Sequence, residues 1–146
     1  YMVVPESILN QYKKYFAHFE SPTSLFSQLT MAKFMESGEW IRHVKRMRLV
    51  YKRKMLHFVS ELRKQFGQNI SIIGEQSGLY LLIKCHLNRS EAWLIEHASS
   101  YGVKVCPTSL YFIKNHTDNP IIKLGFSHLS CDEIELGVEL LKKAWT

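Results

Sequence analysis

The chain has 146 residues, 46% of them hydrophobic and 22% charged, with 19 Lys and Arg against 13 Asp and Glu for a net charge of +6. That length suffices for one domain with a real core. The composition excludes a disordered or fibrous protein, and no apolar run approaches the roughly 20 residues a membrane-crossing helix needs.

Residues 1–4, YMVV, form a strand-favouring run that Pro5 ends, because proline has no N–H to donate to a ladder. So apolar an edge, left bare, invites aggregation, so the rest of its sheet is expected on residues outside the chain. The stretch SILNQYKKYFAHF reads as helix or irregular crossing segment, with Tyr12, Tyr15, Phe16 and Phe19 as aromatic anchors. Ser21 before Pro22 has the form of an N-cap and first helical residue, so a helix is expected through TSLFSQLTMAKFME until Gly38 stops it.

The next helix is expected from Glu39 to Phe66, with Gly67 as its stop. Ile41, Val44, Met47, Tyr51, Met55, Phe58, Leu62 and Phe66 recur at steps of three and four and give it one apolar face. The basic run RHVKRMRLVYKRK, Arg42 to Lys54, contains no acid and occupies the remaining face. Such a cluster can bind phosphate, but a solvated or subunit-contact face is the favoured reading and direct DNA binding the lesser one. A helix of this span is on the order of 40 Å long, too long for one small core, so it should cross between two domains or subunits.

The second half changes character. ISIIG and LYLLIKC read as strands joined through GEQSG, and SEAWLIEHASSYG as a helix closed by Gly102. VKVCP then reads as a strand ended by Pro107, KNHTDNP as a loop and IIKLGF as a strand. SCDEIELGVELLKKAW is a last helix, opened by the capping box of Ser130 and Glu133. The fold class is therefore α+β, a small sheet with helices packed on it. Three segments are expected: 1–38 as the end of a large-domain strand with a crossing segment, 39–67 as a long connecting helix, and 68–146 as a small C-terminal subdomain.

Motif chemistry is sparse. Cys85, Cys106 and Cys131 are odd in number and form no C-x-x-C pair, which indicates neither a disulfide framework nor a zinc site and suits a reducing cytoplasm. His18, His43, His57, His86, His97, His116 and His128 lack metal-ligand spacing, and no phosphate-binding or nucleophile-elbow motif is present. The serines of CPTSLYF have no base at a readable spacing, so that segment reads as structural.

Five segments carry a resemblance: YMVVP, QLTMAKFMESGEWIRHVKRMRLVYKRK, SGLYLLIK, YGVKVCPTSLYF and IIKLGFSHLSCDEIELGVELL, in that order. Together they resemble the C-terminal part of fold-type I, pyridoxal-phosphate-dependent class I/II aminotransferases. Within that superfamily they look most like the aminotransferase-like domain of MocR-type regulators of the GntR family, the group that includes GABA-sensing regulators. The region from Gly38 to Tyr51 is the most specific part, whereas LGFSHLS followed by a helix is widespread in the superfamily.

The resemblance implies that a strand like YMVVP follows shortly after the lysine that forms the Schiff base, so the chain would begin just past it. It further implies that these residues alone neither bind the cofactor covalently nor transaminate, and that the intact parent binds pyridoxal phosphate. The parent would be a homodimer that senses an amino acid and binds DNA through a separate N-terminal domain. A true aminotransferase of aminoadipate or aromatic type is the alternative.

One position carries over. Where this sequence has Ile122-Lys123-Leu124-Gly125-Phe126, aminotransferases commonly place an arginine that grips the substrate α-carboxylate. Lys123 keeps the charge but not the planar two-pronged geometry, so it either holds a carboxylate more loosely or is a strand lysine facing solvent.

Overall fold

A computed structural model describes residues 3–16, 23–75, 78–112 and 119–146. The chain divides into two compact units, Tyr1–Val44 and Lys45–Thr146. The division falls inside a 28-residue helix.

The first unit is helical. Helix α1 spans Glu6–Phe16 and α2 spans Leu25–Glu36, and neither buries a residue. Of the expected opening strand only Val3 and Val4 are described, and they belong to no strand. A strand exists only through pairing, and no described segment pairs with them. The expected cap at Ser21 and Pro22 lies outside the described residues. Instead Ser24 caps α2, its hydroxyl accepting from the Ser27 N–H at 3.2 Å. Gly38, at φ +77°, takes the left-handed conformation that ends this helix and lets α3 (Glu39–Phe66) begin at once. Phe34 meets Trp40 edge-on across that turn, 6.2 Å between centroids.

In the second unit α3 follows its sequence pattern only toward its C-terminal end. Phe58, Leu62 and Phe66 of the expected stripe are buried, joined by Val59 and by Glu61, whose carboxylate pairs with Lys64 at 3.1 Å. Gly67, at φ +51°, closes the helix, and one 3₁₀ turn, Gly67–Asn69, leads into the sheet.

The sheet comprises β1 (Ile70–Ile73), β2 (Tyr80–Cys85), β3 (Cys106–Pro107) and β4 (Ile121–Gly125) in the order β1-β2-β4-β3, all neighbours antiparallel. Helix α4 (Glu91–Ser100) intervenes between β2 and β3, and α5 (Cys131–Trp145) follows β4. Alternation along each strand decides which face is covered. Leu81 and Ile83 of β2 oppose Leu124 and Ile122 of β4, and all four are buried with Leu62, Leu94 and Ile134 from the helices. Phe126, just past β4, packs on Phe58 of α3 with ring centroids 5.7 Å apart, and Lys54 Nζ donates to the Ser127 carbonyl at 3.1 Å.

The expected strand VKVCP is shorter than its sequence suggests. The Val103 N–H is spent on the Ala98 carbonyl at 2.9 Å, closing the end of α4, so pairing starts only at Cys106. Pro107 is tolerated because β3 is an edge strand. The capping box of α5 forms as the sequence indicates: Ser130 Oγ accepts from the Glu133 N–H, and Glu133 accepts from the Ser130 N–H at 2.7 Å.

Candidate functional site

The same alternation that buries one face of the sheet aims Tyr80, Leu82, Lys84, Ile121 and Lys123 at the other. Lys123 stands at the centre of that face, opposite Leu82 on β2 and Cys106 on β3. Its ammonium donates to Tyr111 Oη at 3.2 Å. It lies 5.2 Å from the centroid of the Tyr111 ring and 5.7 Å from that of Tyr80. Two aromatic faces thus flank one cation, a favourable placement because each ring presents negative charge density on its face.

The hydrogen bond to Tyr111 raises the Lys123 pKa above its ordinary value. At neutral pH the group is an ammonium with three donors, one of them committed to the phenol. Among the described residues it has no carboxylate partner. An unpaired ammonium on an open face, steadied by a phenol, is suited to receive a carboxylate.

Tyr111 is delivered to Lys123 by a short relay. It ends a 3₁₀ turn, Ser109–Tyr111, whose start is fixed by Glu91 at the first turn of α4: Glu91 Oε1 accepts from the Thr108 N–H at 2.8 Å and the Ser109 N–H at 3.1 Å. Thr108 Oγ1 in turn donates to the Ile121 carbonyl at 2.8 Å, tying the turn to β4 itself. Ser90 caps α4 through the Trp93 N–H at 3.2 Å, so the residue that positions the turn sits at a fixed helix start.

Of the expected features, the structure places Lys123 on an accessible face with a partner; it also draws in CPTSLYF, the segment read as structural. Tyr111, Thr108 and Glu91 carried no motif signal, since their contacts to β4 and to one another span 12 to 18 residues of chain. His18 and His116 lie outside the described residues. Among the described residues no three His, Cys, Asp or Glu side chains gather as a metal site.

The pyridoxal phosphate implied by the resemblance can be tested on this geometry. The Tyr111 bond favours the ammonium form of Lys123, which suits an anion, and the resemblance puts the lysine that condenses with the cofactor outside this chain.

A small antiparallel sheet with helices on one face, reached through a long helix, is the C-terminal subdomain of the aminotransferase fold. Solved structures of that class superpose closely. The α-aminoadipate aminotransferase LysN of Thermus thermophilus covers 97% of this chain and is covered over 36% of its own, with a TM-score of 0.80 at 19% identity. The kynurenine aminotransferase of Pyrococcus horikoshii covers 95% of this chain, and this chain 34% of it, with a TM-score of 0.82 at 16% identity.

The sequence relatives are regulators. The uncharacterized HTH-type transcriptional regulator YdeL of Bacillus subtilis (strain 168) is 35% identical over 145 residues, which is 99% of this chain and 31% of YdeL. YhdI of the same organism, likewise an uncharacterized HTH-type regulator, is 32% identical over the same share. The probable rhizopine catabolism regulatory protein MocR of Rhizobium meliloti is 23% identical over 99% of this chain and 29% of its own length. No family model matches. The chain is therefore related over nearly its whole length to HTH-type transcriptional regulators and has the fold of an aminotransferase C-terminal subdomain. It spans about a third of the length of the curated relatives it matches.

Proposed function

We propose that this chain is the C-terminal part of the effector-binding domain of a GntR/MocR-type transcriptional regulator, and that Lys123 receives the carboxylate of an amino-acid effector. The parent would hold pyridoxal phosphate on residues outside this chain, work as a cytoplasmic homodimer and reach DNA through a separate helix-turn-helix domain. The chain's three expected segments, 1–38, 39–67 and 68–146, would then be a large-domain end, a connecting helix and a subdomain able to close over the ligand. When bound, the cofactor would supply an aldehyde for the effector's amine. Lys123 would supply charge and position at the effector's other end.

The observation that carries the reading is the Lys123 ammonium, held by Tyr111 on the open sheet face of a chain whose sequence relatives are regulators. A sensor needs only to bind its amino acid and shift a domain equilibrium, so a single-pronged cation suffices where catalysis favours a forked one. An aminotransferase parent has less support: its structural likeness stands at 16% to 19% identity and speaks for the fold alone.

The test is calorimetric titration of the cofactor-loaded parent with candidate amino acids. Lys123→Ala should weaken effector binding by about tenfold or more, the usual scale for a hydrogen bond to a charged group. Lys123→Arg should retain or strengthen it. Unchanged affinity in Lys123→Ala would remove this residue from the site.

A further inference from the structure

The positive charge of this chain is not spread over its surface. Helix α3 holds nine Lys or Arg residues against two Glu, more surplus than the +6 of the whole chain, so the remaining residues are slightly acidic. Lys54, Arg63 and Lys64 have partners in the second unit: the Ser127 carbonyl, Glu75 and Glu61. Lys45, Arg46, Arg48, Lys52 and Arg53 are all exposed, and among the described residues no acid pairs with them.

Their placement is periodic. Lys45 and Lys52, and likewise Arg46 and Arg53, are seven residues apart, which puts each pair on one side of the helix two turns and roughly 10 Å from each other. By helical spacing Arg46 and Arg53 lie opposite the Phe58–Leu62–Phe66 stripe that meets the core, Lys45 and Lys52 flank it, and Arg48 stands in line with Phe66 several turns before the covered part begins. Such an arrangement costs the helix some stability, because like charges three and four residues apart, such as Lys45, Arg48 and Lys52, repel. A face selected only for solvation would mix signs, as α5 does with Glu135 and Glu139 ahead of Lys142 and Lys143.

We infer that this face of α3 is a DNA-backbone contact, engaging phosphates beside the site read by the helix-turn-helix domain. This rests on the regulator reading above. Duplex DNA is the occupant favoured by charge complementarity: each strand presents a charge about every 3.4 Å of axis, so a cation row of this length can face several phosphates at once. The contact carries no base readout, since five flexible cations without Asn or Gln among them position a protein on DNA and do not specify sequence. It would serve to hold flanking DNA against the effector domain, so that movement of this domain acts on the DNA path.

The experiment measures binding of the full-length regulator to a long random-sequence duplex by fluorescence anisotropy across a salt series. The comparison is with the variant Lys45→Gln/Arg46→Gln/Lys52→Gln/Arg53→Gln, with thermal melting and effector titration as folding controls. If each of the four cations contacts one phosphate, the slope of log affinity against log salt should shallow by about 3 to 4. Should the quadruple variant fold poorly, Lys52→Gln/Arg53→Gln should give about half that change. Wild-type binding with the same slope in both variants would overturn this inference and leave the regulator reading standing. A wild type that binds no duplex even at low salt would overturn both.

Discussion

Glu91→Ala is the most informative single perturbation, because it leaves every proposed ligand-contacting group in place and removes only what positions one of them. Glu91 Oε1 accepts from two backbone donors, Thr108 and Ser109, and Thr108 is buried at 6% exposure. A hydrogen bond to a charged group contributes about 1.5–3 kcal/mol, and the half-exposed side of this pair calls for the low end. Loss of both bonds should therefore cost the turn about 2–3 kcal/mol. The Tyr111 phenol then loses its fixed position beside Lys123. Hydrogen exchange should show the Thr108 and Ser109 amides opening on the order of 30-fold more readily, by the same free energy. Effector affinity should fall severalfold although Lys123 is intact. Glu91→Gln keeps an accepting oxygen and should lie between the two. Amides that remain as protected in Glu91→Ala as in the wild type would refute the relay from α4 to Lys123.

Three further outcomes follow from the same structure. Ser130→Ala should destabilise the second unit by about 1 kcal/mol in urea titrations, the usual cost of losing an N-cap. Its partner Glu133 has a lowered pKa through the Ser130 N–H, so its contribution is present above the ordinary carboxylate value and fades as pH falls through the lowered one. The Cys85 thiol is pushed up to about 12 by burial, so at pH 8 it should resist alkylation in the native protein while the half-buried Cys106 and Cys131 react. Because the unfolded thiol ionises near 9 and the folded one does not, stability should fall by about 1.4 kcal/mol per pH unit between those values. Leu62→Ala, at a fully buried position where α3 meets the sheet, should cost about 3–4 kcal/mol in the same titrations, and a loss below about 1 kcal/mol would mean that α3 does not share this core.

Element types in the second half were legible because each is announced locally. β2 and β4 are short apolar runs that follow glycine-bearing or polar turn segments, Ser130 and Glu133 sit at capping-box spacing, and Gly67 and Gly102 mark helix ends with positive φ. What crosses the chain was not legible. The order β1-β2-β4-β3 depends on pairings such as Leu82 with Lys123, which no local pattern encodes. The shortening of β3 depends on which acceptor wins the Val103 N–H, and helix closure at Ala98 wins it. Lys123 was found by its place in a resembling motif; Tyr111 and Glu91 became visible only once the turn and α4 were folded beside it.

Helix α3 separates what a pattern says from what a structure supplies. Hydrophobic spacing specifies which face of a helix gains from being covered, but the covering element may come from anywhere in the protein. Phe58, Leu62 and Phe66 find theirs in this chain. Ile41, on the same stripe one helix-half earlier, remains 58% exposed. Leu49 stands 72% exposed between Lys45 and Lys52 on the opposite side, where apolar spacing demanded nothing. The two faces therefore call for different partners, the stripe for apolar protein surface and the cationic row for an anion. Replacing Lys45, Arg46, Lys52 and Arg53 by Gln separates them, since that change removes four charges and none of the apolar side chains of the stripe.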